Sequence, residues 1–153
     1  MSAGREPSGR RPASGYAAPD MAAQQFPIRI GQRSRLLLRL FGVRTGNAFV
    51  VVDEELDAHF GFFRIHTPVT NIVSWRIEGP WHWITAIGVR RSVRHGDVTF
   101  GGSHRGGVRV DFRDPVHFGR LRIPALYVTV EDLEGLAAAL AARGIPGEDA
   151  RSR

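Results

Sequence analysis

Three tryptophans and a run of arginines are the residues of this chain best suited to chemistry at a surface. The stretch WRIEGPWHW, residues 75–83, holds every Trp in the sequence, and Arg90, Arg91 and Arg94 follow closely. Indole rings beside guanidinium groups can stack on nucleic-acid bases or anionic head groups, a base stack contributing about 1–3 kcal/mol. Trp81, Trp83, Arg90, Arg91 and Arg94 are therefore the candidate binding residues. The structural alternative makes Trp81 and Trp83 barrel residues and the arginines a solvated face. A second basic group, Arg33, Arg35, Arg39 and Arg44, surrounds LLLRLF. Leu36, Leu37, Leu40 and Val43 fit a helical stripe, which could lie on an anionic membrane; the expectation is that it packs on the body of the domain instead.

Other chemistry finds little footing. His59, His66, His82, His95, His104 and His117 are dispersed, without the i, i+4 spacing that sets two imidazoles on one helical face. No metal site is expected. Gly101-Gly-Ser103-His-Arg105 departs from a nucleophile elbow because Arg105 stands where the sharp turn needs Gly. A flexible loop is the simpler assignment. The chain has no Lys and no Cys, which excludes a Walker A lysine, a Schiff base, a thiol nucleophile, a disulfide and a thiolate metal site. Acids at Asp53 to Asp57 and at Asp111 and Asp114 fall in turn or edge contexts, where solvation is their ordinary role. No cofactor is implied and no catalytic residue is assigned.

With 153 residues, 42% hydrophobic and 24% charged, the chain has room for one ordinary domain with its own core. Its net charge is +6 and its pI about 11.2. All 21 basic residues are Arg, which with abundant Ala and Gly reflects a GC-rich coding bias but does not account for the positive excess. That excess is segregated: residues 26–46 carry five Arg and no acid, whereas 53–57 and 131–149 are acidic. No apolar run is long enough to span a bilayer, and the N-terminus lacks the h-region of a signal peptide, so a cytoplasmic location is expected.

Residues 1–24, rich in Gly, Pro, Ser, Ala and Arg, read as a disordered tail, with Met21 an alternative translation start. A single domain is expected over 25–145, followed by a disordered tail over 146–153. Short apolar segments punctuated by Gly, Pro and Asp mark the domain as mainly β. Expected strands are 26–30, 48–53, 56–66 and a strand in which Val73, Trp75 and Ile77 face the core; 34–43 reads as a short helix. Segments 97–100 and 107–112 read as a hairpin across the Gly-rich 101–107 loop, and 125–130 as the last strand. A helix follows from Asp132 to Arg143, with Leu133, Leu136, Ala137 and Leu140 on one stripe, acids at its start and Gly144 as its cap.

About seven short strands closed by one amphipathic C-terminal helix describe a pleckstrin-homology-like (PH-like) small antiparallel β-barrel with the helix plugging one end. FVVVDEELDAHFGFFRIHTPVTNIVSWRI and LYVTVEDLEGLAAAL resemble the bacterial PH-like pattern. FGFFRIHTPVTNI, EGPWHW, GDVTFGG and GVRVDFRDPV are more narrowly similar to an uncharacterised actinobacterial family, whose element is Thr-Pro-Leu-x-Asn-Val followed by Gly-Pro-aromatic. Val69 stands here for its Leu and Ile72 for its Val. The resemblance covers roughly residues 47–143 and brings no activity with it. The compact β core, the lack of catalytic motifs and the segregated charge lead to the expectation of a non-enzymatic interaction module acting through a protein partner or self-association. Nucleic acid or an anionic membrane bound by an Arg-rich face is the first alternative, and a small-ligand carrier or enzyme using the barrel mouth the second.

Overall fold

The computed structural model describes residues 22–32, 34–40, 42–44, 46–79, 87–91, 96–102 and 105–151. Period-two alternation draws the first part of the chain into an antiparallel meander of β1 (Gln24–Pro27), β2 (Ala48–Val52), β3 (Glu55–Phe60) and β4 (Phe63–Pro68), in that spatial order. Ala48, Val50, Val52, Leu56, Ala58, Phe60 and Ile65 all point inward and are buried, while Phe49, Val51, Asp57 and His59 look outward. The segment 56–66, expected as one strand, is two. Gly61 at φ 63° reverses it, and Phe60 pairs with Phe63 across a two-residue turn that demands positive φ. Most of the expected N-terminal tail lies outside the described residues, but Gln24 already pairs with Val52.

The second sheet contains β5 (Ile72–Glu78), β6 (Ile87–Arg91), β7 (Val98–Gly102), β8 (Gly107–Phe118), β9 (Leu121–Val128) and β10 (Gly147–Asp149), in the order β10-β5-β8-β9-β7-β6. The expected hairpin of 97–100 with 107–112 is therefore corrected. β9 lies between them, antiparallel to β8 and parallel to β7. The Gly-rich stretch 101–107, whose ends fall within β7 and β8, imposes no pairing of those strands with each other, so apolar matching decides, and buried Val98 and Phe100 align with buried Leu126 and Val128. Val73 is also corrected: it is 45% exposed, because the β5 register shifts between Ile72 and Ser74 and Ile72 takes the inward place. Trp75 is half-buried against the core, opposite Val110.

β8 keeps its course past Pro115 because the register to β9 shifts between Asp111 and Val116, where a missing amide hydrogen does no harm. The side chain of Asn71 completes that irregularity. Its Nδ2 donates to the Asp114 carbonyl and its Oδ1 accepts from the Asp114 amide, both at 2.9 Å, as a paired peptide would.

Helix α2 (Leu133–Ala142) packs on β1, β5 and β8 through Leu133, Leu136, Ala137, Ala139 and Leu140. Asp132 caps it, Oδ1 accepting from the Gly135 amide at 2.8 Å, and Gly144 at φ 80° follows its last turn. Arg143 donates to the carbonyls of Asp53 (2.7 Å), Val52 (3.1 Å) and Ala139 (2.9 Å), tying the helix C-terminus to the β2–β3 reversal.

Beyond the helix, the expected disordered tail is corrected in part. Gly147–Asp149 adds β10 to the sheet, parallel to β5, and the Trp75 Nε1 donates to the Ile145 carbonyl at 3.0 Å. A Cβ on Gly147 would collide with the Trp75 indole, so only glycine allows this approach.

The sheets meet through aromatic rings. Phe60 stacks on Phe100 at 5.6 Å between centroids, Phe63 on Phe118 at 5.7 Å, and Phe100 meets Phe118 at 5.9 Å. An antiparallel bridge between Ile28 and Val130 is the backbone link, with Arg29 donating to the Thr129 carbonyl and Glu131 to that of Pro27. Among the described residues the strands form two sheets and no closed barrel, which corrects the expected seven-stranded closure. Phe60 has no solvent exposure, and Phe60→Ala removes a ring from the seam between the sheets. The expected loss is about 3–5 kcal/mol in urea unfolding; a loss below about 1 kcal/mol would contradict the seam.

Candidate interaction face around the first helix

Helix α1 (Arg35–Leu40) is six residues long and cannot hold itself together, so its ends and one inward side chain must fix it. Gly42, at φ 70°, provides the reversal. The Gly42 amide donates to the Arg39 carbonyl at 3.1 Å and the Val43 amide to the Leu38 carbonyl at 3.0 Å, the paired bonds of a Schellman ending. Leu38 and Val43 are 1% and 2% exposed and supply the hydrophobic contact of that motif. Asn47 then locks the following loop: Nδ2 donates to the Gly42 carbonyl at 2.7 Å, Oδ1 accepts from the Arg44 amide at 2.6 Å, and its carbonyl accepts from the Gly61 amide at 3.0 Å.

With Leu38 turned inward, the expected packing of the apolar stripe on the domain is reversed. At about 100° per residue, Leu36 and Leu40 fall opposite Leu38 and Leu37 falls roughly a quarter-turn from it. They are 81%, 58% and 80% exposed; only Val43 of the expected stripe is buried. A six-residue helix is oriented by whichever single side chain its ending buries. Phe62, 83% exposed at the tip of the β3–β4 turn, joins them, its ring lying where a Cβ on Gly42 would stand. These four make up most of the exposed large apolar side chains among the described residues, the others being Val73 and Leu121, so they form a patch rather than ordinary scatter.

Arg35, Arg39 and Arg44 flank the patch. Together with Ile30 and Val43 they line a hollow of about 280 Å³. All three are exposed, and among the described residues no carboxylate forms an ion pair with them. Four other arginines are ion-paired, Arg64 with Asp57, Arg76 with Glu148, Arg109 with Asp97 and Asp111, and Arg151 with Glu134, whereas Arg113, Arg120 and Arg122 are exposed and, among the described residues, in no ion pair. Three guanidinium groups over an apolar floor can take an anionic oxygen group.

Of the residues singled out from sequence, Trp81, Trp83 and Arg94 lie outside the described residues, as does Arg33. Arg90 and Arg91 belong to β6, opposite Thr99 and Val98 of β7. The structure thus gathers Arg35, Arg39 and Arg44 of the second basic group. Phe62 was missed; its signal is a large apolar residue directly after the turn glycine, where no ladder exists to bury it.

The remaining polar groups serve the sheets. Ser74, Asp97, Arg109 and Asp111 form a network on the outer side of the second sheet, with Asp97 and Asp111 each bonded to Arg109, at 2.7 and 2.9 Å, and Ser74 bonded to Asp111. Burial disfavours the Arg109 charge, yet the carboxylate of Asp111 and those nearby hold it more firmly protonated than usual. On the first sheet His59 and Arg64 contact Asp57 at 3.1 and 2.6 Å, and His66 contacts Glu55 at 3.2 Å. No group of three or more metal-ligating side chains occurs among the described residues.

Burial pushes the Asp57 carboxyl up, but hydrogen bonds from Arg64 and His59 outweigh it and hold the group below its ordinary value of 3.8. A carboxylate held low when folded adds stability that is complete above that ordinary value and is lost as pH falls through the folded one. For a pair this exposed the amount is about 0.2–1 kcal/mol. Asp57→Asn is expected to flatten the fall in stability below about pH 4, followed by urea midpoints across pH; an unchanged acid limb would contradict the assignment.

No protein-family model, curated protein or solved structure matches this chain.

Proposed function

We propose that the chain is a non-enzymatic interaction module of PH-like build, and that it meets its partner through the α1 face. The reading rests on one observation: Leu36, Leu37, Leu40 and Phe62 project into solvent from a helix and a turn that glycine reversals and Asn47 hold in place. Solvent-facing leucines add nothing to the core, and a fixed apolar patch edged by arginines that form no ion pair among the described residues has the composition of a surface that becomes covered. The PH-like assignment draws support from the opening meander, the second sheet and the capped C-terminal helix. The parallel pairings of β9 with β7 and β10 with β5 depart from the all-antiparallel arrangement it expects.

The absence of Cys makes a direct test simple. A polarity-sensitive dye is attached at Leu37→Cys, with Arg120→Cys on the β8–β9 reversal as the control. Soluble and membrane fractions of the native cells are then added separately. The expected result is a blue shift and quencher protection at position 37 in one of the fractions, with position 120 unchanged. A dye at 37 that stays solvent-exposed in both would remove the reading.

A further inference from the structure

Resting on that reading, we infer that the partner of the α1 face is the surface of an anionic lipid bilayer, with Leu36, Leu37, Leu40 and Phe62 entering the interfacial layer and Arg35, Arg39 and Arg44 taking lipid phosphates. Four observations carry this choice. First, the apolar side chains stand on a convex helix flank and a turn tip, each more than half exposed. A fluid interface closes around such knobs without needing a matching groove.

Second, the hollow beside the knobs is bounded by Arg35, Arg39 and Arg44, with Ile30 and Val43 completing its lining. No carboxylate among the described residues competes for these arginines. Third, charge is polarised along β3. Its far end is the exposed acidic reversal Asp53, Glu54 and Glu55, and its near end is the Gly61-Phe62 turn, six residues or roughly 20 Å away. Docking the α1 face therefore carries the acidic turn away from a negatively charged surface, beyond about two Debye lengths at physiological salt.

Fourth, the geometry suits a helix that lies on the membrane. Six residues extend about 9 Å, far short of the roughly 30 Å hydrocarbon layer, and no helix among the described residues is long and apolar enough to cross a membrane. A surface-lying element needs a rigid mount. The Schellman ending and the Asn47 bonds provide it, so little ordering remains to be done at the moment of contact.

The full chain is sedimented with vesicles of phosphatidylcholine alone and of phosphatidylcholine mixed with phosphatidylglycerol, with inorganic phosphate as a separate competitor. Binding is expected with the mixed vesicles, much weaker with phosphatidylcholine alone, falling with salt and little affected by millimolar phosphate. Each of Arg35→Gln, Arg39→Gln and Arg44→Gln is expected to weaken partitioning about five-fold. The triple change Leu36→Ser, Leu37→Ser, Leu40→Ser is expected to weaken it at least ten-fold while leaving the unfolding midpoint unchanged, because all three side chains are exposed.

The dye at Leu37→Cys gives a second readout, blue-shifting with mixed vesicles. Three results would overturn the inference: no sedimentation with mixed vesicles, binding indifferent to the leucine change, or loss of binding to phosphate alone, which would indicate a soluble anion site. If vesicles fail while the soluble fraction protects position 37, the bilayer is excluded and a protein partner takes its place on the same face. Silence in both fractions removes the face itself.

Discussion

Four consecutive residues, Phe60-Gly61-Phe62-Phe63, hold the two sheets together and also direct outward the most exposed apolar ring among the described residues. Phe60 and Phe63 pair across the turn, and their rings reach into the other sheet to stack on Phe100 and Phe118. Gly61 must take positive φ for that pairing to exist. Once it does, Phe62 has no strand partner and is driven to the tip, against Gly42 at the end of α1. The constraint that locks the sheets together thus also builds half of the proposed docking face.

The other half follows from the same economy of short elements. Six residues of helix have almost no stability of their own, so the ending fixes the orientation. Leu38 is the residue whose carbonyl closes the reversal onto Val43, and burying that pair leaves the remaining leucines no direction but outward. The Asn47 side chain joins this loop to the Gly61 turn through its neighbouring backbone, making α1 and the β3–β4 tip a continuous surface. Most of the other well-placed arginines are spent on structure: Arg143 caps α2, Arg109 crosslinks the outer side of the second sheet, and Arg64 steadies Asp57. The three beside α1 form no such ion pairs among the described residues, and neither do Arg113, Arg120 and Arg122; what sets the α1 group apart is that its members share one hollow beside the exposed leucines.

Legibility from the sequence followed the strength of local periodicity. β2 and most of β8 declared their inward faces by alternation, and α2 carried acid, leucine stripe and glycine cap in order, whereas the end of β9 is buried at every position from Ala125 to Val128. What escaped was whatever depends on distant partners. The β7–β9 pairing is set by apolar matching across 28 positions of sequence, as in Val98 with Leu126, and no loop composition encodes it. β10 is three exposed residues whose sheet position comes from Trp75 and a glycine that lets the indole approach, so nothing in its own pattern marks a strand. Val73 obeyed alternation in sequence and broke it in space because a one-residue register shift at Ile72 changes which side faces the core. For the docking face, the arginines and the leucine stripe were visible in the sequence. Which way the stripe turned was not, since a single backbone reversal decides it, and Phe62 joins it only through the fold.

The central claim is that Leu38 is turned in while its neighbours are turned out. Paramagnetic relaxation of leucine methyl and phenylalanine ring resonances by a soluble gadolinium chelate tests it most directly on the unmodified chain. Strong relaxation at Leu36, Leu37, Leu40 and Phe62, with Leu38 and Phe60 shielded, is the result this account requires. Shielded methyls at Leu36, Leu37 and Leu40 would mean that the stripe packs on the domain, and would contradict it.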